Sequence, residues 1–409
     1  MNMREREKDL VDQFNNNNLK FKETTYHFSS KEKEEQFVKA QFETPEQLAR
    51  YREYRLEWHR RSNEFDAGKF PLTVICELVS VCNLHCSMCY TRKEEFQKMV
   101  IGSQRMMPWD MVKSIIDECA EIGVCSILFS WRGESSMYKS VGSDSKAYDF
   151  SDVLKYARDA GILEITSLTN GRLLNKELIT KIVEAQPNWI SFSIDGLGDS
   201  YRKIRVGGAS EDEDPFRVVT KNIMEIVRYR EERGYKKPQI RTNTIYPAIS
   251  NDPDAYLKYM EDIGVGLVTL NELLDFSSEN LPDDAILDDF FCQYPFQRLA
   301  VSANGVIMPC PGSHLEEEEI SLGLYPGGKE KKVNAGSGLR VVQLPKMSLK
   351  EAYNSDKIKW IREFHKKGRR KEIVTCKQCR HGAVTHGVEW IPENWDMERM
   401  EWRGGMWRE

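Results

Sequence analysis

Between residues 70 and 275 the hydrophobic pattern keeps switching period. Short apolar runs, "LTVICELVS", "CSILFSW", "LEITSLTN", "WISFSIDG", "QIRTNTIY" and "LVTLNEL", read as strands. Between them lie stretches with helical periodicity, "PWDMVKSIIDECAEIG", "FSDVLKYARDAG", "NKELITKIVEA", "PFRVVTKNIMEIVRYREERG" and "DPDAYLKYMEDIG", several ending in the glycine common at helix C-termini. Strand–helix alternation over this length predicts an α/β fold with a parallel sheet. Six strands are too few for a closed eightfold barrel and suit a partial (β/α)6 TIM-like barrel. Functional groups then belong at the C-terminal ends of the strands.

The flanks differ. Residues 1–68 are strongly charged. "SKEKEEQFVKAQF" and "TPEQLARYREYRLEWHRRSNEF" predict helices, the second opened by Thr-Pro, so this part reads as a helical extension ahead of a barrel at 69–278. From 279 to 390 the pattern predicts a small C-terminal domain with a poor core. There, "LAVSANGVIMPC" gives two short strands around an Asn-Gly turn, and "SLKEAYNSDKIKWIREFHKKG" a helix. "EEEE" and "YPGGKEKKVNAGSG" read as a solvated polar loop, and residues 391–409 as a tail.

The chain has 409 residues, 40% of them hydrophobic, which suffices for a sizeable core. Its net charge of −5 argues against general nucleic-acid binding. No run of 18 apolar residues predicts a membrane span, and "MNMREREKDL" lacks a signal core, which points to the cytoplasm. Thiols stay reduced there, so the ten cysteines call for something other than disulfides. Cys76, Cys119 and Cys125 sit among apolar residues and read as packing. Cys82, Cys86 and Cys89 form one tight group just after the first strand. Cys292, Cys310, Cys376 and Cys379 can form a second.

Thiolates suit iron–sulfur clusters and zinc. A 4Fe–4S cluster normally takes four cysteines, so three would leave one iron open to a small molecule. Zinc, with His85 or a distant residue as fourth ligand, is the alternative, but zinc motifs usually pair one C-x2-C with a second. "CNLHCSMC" resembles the C-x3-C-x2-C signature of the radical S-adenosylmethionine (radical SAM) superfamily, with Met88 and Tyr90 around the last cysteine. The resemblance implies a six-stranded partial barrel and a cluster on Cys82, Cys86 and Cys89. Its open iron would be chelated by the amino and carboxylate groups of S-adenosyl-L-methionine. "SWRGESSMY" looks like a degenerate form of the family's Gly-Gly-Glu-Pro turn, implying that Gly133 and Glu134 receive the cofactor's amino group, with Arg132 as an extra cation at the mouth. By the same resemblance Ser167, Thr169 and Asn170 are candidates for the ribose hydroxyls, Ser193 for a hydrogen bond to the cofactor and Arg205 for a fork to its carboxylate. Arg241 and Asn243 share one face of their strand, lumen or exterior. Arg132, Arg241, Glu272 and Asp275 are lumen candidates, and the sequence assigns no catalytic base.

Alone, the second group is also a zinc-ribbon pattern. In context, "CQYPFQRLAVSANGVIMPC" with "CKQC" is similar to the SPASM/twitch module, which implies one auxiliary 4Fe–4S cluster on Cys292, Cys310, Cys376 and Cys379. Closed by four thiolates, it would serve electron transfer or structure. The family's chemistry is one-electron reduction of the cofactor, by a donor such as flavodoxin or ferredoxin, to give a 5′-deoxyadenosyl radical that abstracts hydrogen. With the auxiliary cluster as acceptor, this implies an oxidoreductase. Its substrate would be a small hydroxylated molecule such as a sugar, nucleotide sugar or aminocyclitol. A maturase acting on a ribosomally made precursor peptide is the alternative, and the helical reading of the N-terminus tilts toward the small molecule. A non-catalytic zinc or scaffold protein is the third class, distinguished by iron content.

Overall fold

The computed structural model describes residues 25–27, 31–93, 96, 106–207, 213–271, 273–274, 281–287, 290–329, 331–334 and 339–383. Its strands are β1 (Thr25–His27), β2 (Thr73–Cys76), β3 (Ser126–Leu128), β4 (Lys139–Val141), β5 (Ala147–Asp149), β6 (Glu164–Thr169) and β7 (Trp189–Ser193). They continue as β8 (Gln239–Ile245), β9 (Leu267–Asn271), β10 (Arg298–Val301), β11 (Val306–Met308), β12 (Gly323–Leu324), β13 (Lys331–Asn334) and β14 (Leu339–Val342). The helices are α1 (Lys31–Lys39), α2 (Pro45–Glu64), α3 (Trp109–Ile122), α4 (Phe150–Asp159), α5 (Lys176–Ala185) and α6 (Asp199–Ile204). After them come α7 (Pro215–Glu232), α8 (Pro253–Asp262), α9 (Tyr294–Gln297), α10 (Leu349–Asn354), α11 (Asp356–Lys366) and α12 (Val374–Lys377).

One sheet runs in the order β1-β9-β8-β7-β6-β3-β2-β10-β11-β12. All six expected strands are present as β2, β3, β6, β7, β8 and β9, each parallel to its neighbour. Together they give the α/β partial barrel. Val74, Ile127, Ile165, Ile190, Ile240 and Val268 point one way and join Val112, Ile115, Leu154, Ile182, Val219 and Met260 of the helices in the main core. Each fully buried aliphatic side chain of this kind contributes about 1.5–3 kcal/mol. The alternate positions, Thr73, Thr166, Ser191, Arg241 and Thr269, are polar and face the lumen. Cys76 and Cys119 are buried in that core, as their apolar surroundings suggest.

Both edges of the six-stranded unit are extended. β1 adds antiparallel to β9, a strand absent from the helical reading of the N-terminus. The Thr-Pro start of α2 holds, since Thr44 Oγ1 accepts from Gln47 N–H at 3.2 Å. α2 floors the barrel: Tyr54 Oη meets Thr73 Oγ1 at 3.0 Å, and Tyr51, Tyr54 and Phe42 pack on Leu72 and Leu163 beneath the strands.

At the other edge β10 lies parallel to β2 with Val301 opposite Cys76, and the expected Asn-Gly hairpin carries the sheet on to β11. Gly305 stands there at φ +86°, a left-handed conformation that glycine adopts without steric cost. Leu299, Val301, Leu349, Tyr353, Ile358 and Ile361 belong to the same core as the barrel strands. The region after residue 280 is therefore welded to the barrel by main-chain hydrogen bonds and shared packing.

Two polar stretches differ from the solvated reading. "KEKKVNAGSG" contains β13, which pairs with β14 in a hairpin. In "EEEE", Glu316 is buried rather than solvated, and Glu319 accepts hydrogen bonds from Val374 N–H and Thr375 N–H at 3.0 and 2.7 Å, fixing the start of α12. Residues 391–409 lie outside the described residues. No described helix is long and apolar enough to cross a membrane.

Candidate active site

The loop after β2 carries Cys82, Cys86 and Cys89 at the C-terminal end of the sheet. Two backbone bonds pin it to the segment after α6, His85 N–H to Val206 O at 2.7 Å and Ser87 N–H to Ile204 O at 3.2 Å. Each thiol has a polar neighbour. Leu84 N–H and Asn170 Nδ2 point to Cys82 Sγ at 3.4 and 3.7 Å, and Arg205 Nη1 to Cys86 Sγ at 3.6 Å. Thr91 Oγ1 lies 3.0 Å from Cys89 Sγ. Burial pushes the Cys82 thiol up to about 12, and the repulsion of Cys86 and Cys89 adds to it. Cys86 is raised by burial too, and Arg205 holds that rise down.

Gly133 is where the sequence places it and no other residue fits. A Cβ there would lie 2.2 Å from Val79 O and 2.5 Å from Val81 O, so the turn after β3 packs backbone to backbone on the cysteine loop. Glu134 N–H donates to Val81 O at 2.9 Å. The Glu134 carboxylate is buried and turned toward β6. It accepts from Thr169 Oγ1 at 2.5 Å, Ser136 N–H at 3.0 Å, Ser136 Oγ at 2.5 Å and Asn170 N–H at 2.7 Å. These four donors occupy the oxygens expected to meet an ammonium. Ser167 and Thr169 also differ from expectation. Ser167 Oγ donates to Phe129 O at 2.7 Å, and Thr169 serves Glu134. Both lie on the helix-facing register of β6. Asn170, past the strand end, does reach the cysteine loop and donates to Asn83 Oδ1 at 2.8 Å.

Ser193 ends β7 in register with Asn243 of β8, both on the lumen side. Arg205 is near the site, but its fork is taken: Nε and Nη2 both reach Asp195 Oδ2 at 2.6 Å, and Asp195 Oδ1 accepts from Ile245 N–H at 2.8 Å. Asp195, within the "SIDG" run, is the partner that sequence reading missed. Arg241 lies on the lumen face. Its Nε donates to Asn243 Oδ1 at 3.2 Å and Thr269 Oγ1 at 2.5 Å, and its guanidinium lies 4.8 Å from the Trp189 ring.

Arg132 departs most from expectation. It is not a cation at the mouth but a fully buried one. Glu77 Oε2 and Glu316 Oε1 hold its Nη2 at 2.5 and 2.7 Å, and it stacks 4.1 Å from Trp131. Glu272 and Asp275 lie outside the described residues.

Cys292, Cys310, Cys376 and Cys379 line one small apolar cavity, with Phe290, Pro309, Ile361 and His365 in its wall. A Cβ on Gly312 would stand 3.3 Å from Cys379 Sγ and 3.5 Å from Cys310 Sγ, so that bare backbone forms part of the wall. Burial raises all four thiols, Cys292 to about 12, and repulsion from neighbouring thiols adds to the rise at Cys292, Cys310 and Cys376. Arg370, fully buried and bonded to Cys376 O, Leu287 O and Gly382 O, opposes that rise at Cys292, Cys376 and Cys379. No three His, Cys, Asp or Glu among the described residues are placed as ready ligands of a single metal ion. The grouping is one of thiols around a shared space.

The sequence pattern of the Radical SAM superfamily matches residues 77–263, and that of the iron–sulfur cluster-binding SPASM domain matches residues 292–380. The chain belongs to the radical SAM superfamily. As a radical SAM enzyme with a SPASM domain, it uses a 4Fe–4S cluster, S-adenosylmethionine and auxiliary iron–sulfur chemistry. The residues present fit these groups: three thiols on one loop, each with a polar neighbour, and four thiols around a single cavity beside a buried cation.

Among curated relatives, this radical SAM chain is similar to the tungsten-containing aldehyde ferredoxin oxidoreductase cofactor-modifying protein of Pyrococcus furiosus. They are 22% identical over 314 residues, covering 70% of this chain and 82% of that one. The serine-type anaerobic sulfatase-maturating enzyme of Bacteroides thetaiotaomicron is 32% identical over 147 residues, 34% of each chain. Among solved structures, BtrN in complex with AdoMet and 2-DOIA matches 76% of this chain and 93% of its own, at 14% identity and a TM-score of 0.42.

Proposed function

We propose that this radical SAM enzyme oxidises a hydroxyl-bearing carbon of a small molecule, of the sugar, nucleotide sugar or aminocyclitol class, by two electrons. When bound, the cluster on Cys82, Cys86 and Cys89 together with S-adenosylmethionine supplies a carbon radical that removes one hydrogen atom. The substrate's hydroxyl proton then leaves to a base or water, and its remaining electron passes to an acceptor, giving the carbonyl. A donor such as flavodoxin or ferredoxin returns the electron consumed at the first cluster.

The observation that carries this reading is the closed set of four thiols on one cavity wall. Four ligands leave no iron open for substrate, so the auxiliary cluster is free to act as the electron acceptor. The lumen supports a small polar substrate. Ser193, Asn243, Arg241 and Thr269 offer hydroxyl, amide and guanidinium groups along the lumen face of β7, β8 and β9. α1 and α2 close the floor beneath them, which keeps water and stray hydrogen donors out. In this arrangement the Gly133 turn, Asn170 and Ser193 face the cofactor. Glu134, Ser167, Thr169 and Asp195 hold that shell in place, with Arg205 fixed between Asp195 and Cys86.

The described N-terminal elements serve barrel closure, which suits the small-molecule reading. The precursor-peptide reading is favoured by the match to the sulfatase-maturating enzyme, whose name places its action on a protein. Anaerobic turnover with C-deuterated candidates separates the two. Deuterium in 5′-deoxyadenosine from a labelled sugar or aminocyclitol is the expected result. Deuterium transfer from a labelled peptide, with none from the small molecules, replaces this proposal with the alternative.

A further inference from the structure

α11 brings His365 into the wall of the auxiliary cavity, beside Cys292, Cys310, Cys376 and Cys379. The residue is 3% exposed. Both ring nitrogens are buried, and neither has a hydrogen-bond partner among the described residues. A buried donor or acceptor left unmet costs on the order of 1–3 kcal/mol. Native structures hold few such groups, and a whole imidazole without partners is a large exception. The rest of the wall gives no relief: Thr375 Oγ1 donates to Glu319, Arg370 is a donor held by backbone carbonyls, and Phe290, Pro295, Pro309, Ile320 and Ile361 are apolar.

An imidazole carries at least one ring N–H in either protonation form. The acceptor for that N–H must be what fills the cavity. The four thiolates of an iron–sulfur cluster and its bridging sulfides are the acceptors such a cavity would hold. Hydrogen bonds to these sulfurs stabilise the more negative, reduced form of a cluster and so raise its reduction potential.

We infer that His365 donates an N–H hydrogen bond to a sulfur of the auxiliary cluster and raises that cluster's reduction potential. The inference rests on the assignment of the four thiols to that cluster, and on nothing known of the substrate.

The test uses the full chain carrying Cys82→Ala, Cys86→Ala and Cys89→Ala, reconstituted anaerobically with iron and sulfide, so that only the auxiliary cluster contributes a signal. With 15N-histidine incorporated and the cluster reduced, pulsed electron paramagnetic resonance should show a weak nitrogen coupling. His365→Phe should remove that coupling, keep the iron and shift the midpoint potential to a more negative value. His365→Gln, whose amide restores an N–H, should recover part of the shift. Absence of histidine coupling in the parent overturns the inference without needing any His365 variant to fold. So does a coupling as strong as that of a directly bound nitrogen, which makes His365 a ligand. Full iron with an unchanged midpoint in His365→Phe overturns it as well. Absence of iron in the parent overturns the four-thiol assignment itself, a failure distinguishable from the others.

Discussion

Arg132 carries its charge inside the molecule because Glu77 and Glu316 both meet it there, with all three side chains fully buried. Taking these ions out of water is expensive, and their mutual attraction offsets that cost only while the set is complete. Glu316→Gln should therefore destabilise the protein by roughly 3–5 kcal/mol, read as a lower denaturant midpoint. A loss under 1 kcal/mol would mean that water reaches the site. The same residue-scale logic applies to the cysteine loop. Cys86 is the most buried of its three thiols and the one held by Arg205. Cys86→Ala should lower iron bound at the first site and abolish 5′-deoxyadenosine formation by the reduced enzyme. Continued cofactor cleavage would contradict the assignment. Gly133→Ala is the conformational counterpart. With Val79 O 2.2 Å from the new methyl, the cysteine loop must move, and iron at the first site should fall while the auxiliary iron is retained. Loss of both would point to general misfolding instead.

β10 is the element that joins the two halves, since it pairs parallel with β2 on one side and antiparallel with β11 on the other. Proline within a strand paired on both sides removes a ladder donor. Ala300→Pro should accordingly cost about 3 kcal/mol or more and lower iron at both sites together, measured by iron content and thermal melting. Loss confined to the auxiliary site would show that the halves fold independently. This junction was not legible in the sequence. β2 and β6–β9 announce themselves through local alternation between strand and helix periods, and the hairpin of β10 with β11 through its Asn-Gly turn. The parallel partner of β10 lies more than 200 residues upstream, where no local signal reaches. Glu316 was hidden for the same reason. Within four consecutive glutamates it reads as solvated, and the arginine that draws it inside is 184 positions away. Arg241 and Asn243 were readable as sharing a face, and only the packing of Ile240 and Thr242 toward the helices decides that their face is the lumen. The metal-ligand candidates were the most legible part, because thiol spacing is local within each loop. Their supporting shell of Asp195, Arg370 and His365 was not, since each meets a neighbour distant in sequence, Ile245, Leu287 and the cavity of Cys292 and Cys310.

At the scale of the whole molecule, the two cysteine groups sit on loops attached to one continuous sheet, and Arg132 and Glu316 tie the turn after β3 directly to the auxiliary region. Such a frame holds the two cysteine sites at a fixed separation. The two roles predict different outcomes when one auxiliary ligand is removed. If the auxiliary cluster accepts the substrate electron, Cys310→Ala should remove about four irons per chain and leave the first cluster able to cleave S-adenosylmethionine. Product would then fall far more than 5′-deoxyadenosine, because hydrogen abstraction would continue without an outlet for the second electron. If the cluster only braces the fold, both products should fall together as the β10 junction loosens. The ratio of product to 5′-deoxyadenosine in the variant, compared with the parent under the same reductant, decides between them. An unchanged ratio at an undiminished rate would remove the acceptor role, and an oxidation would then need another electron sink.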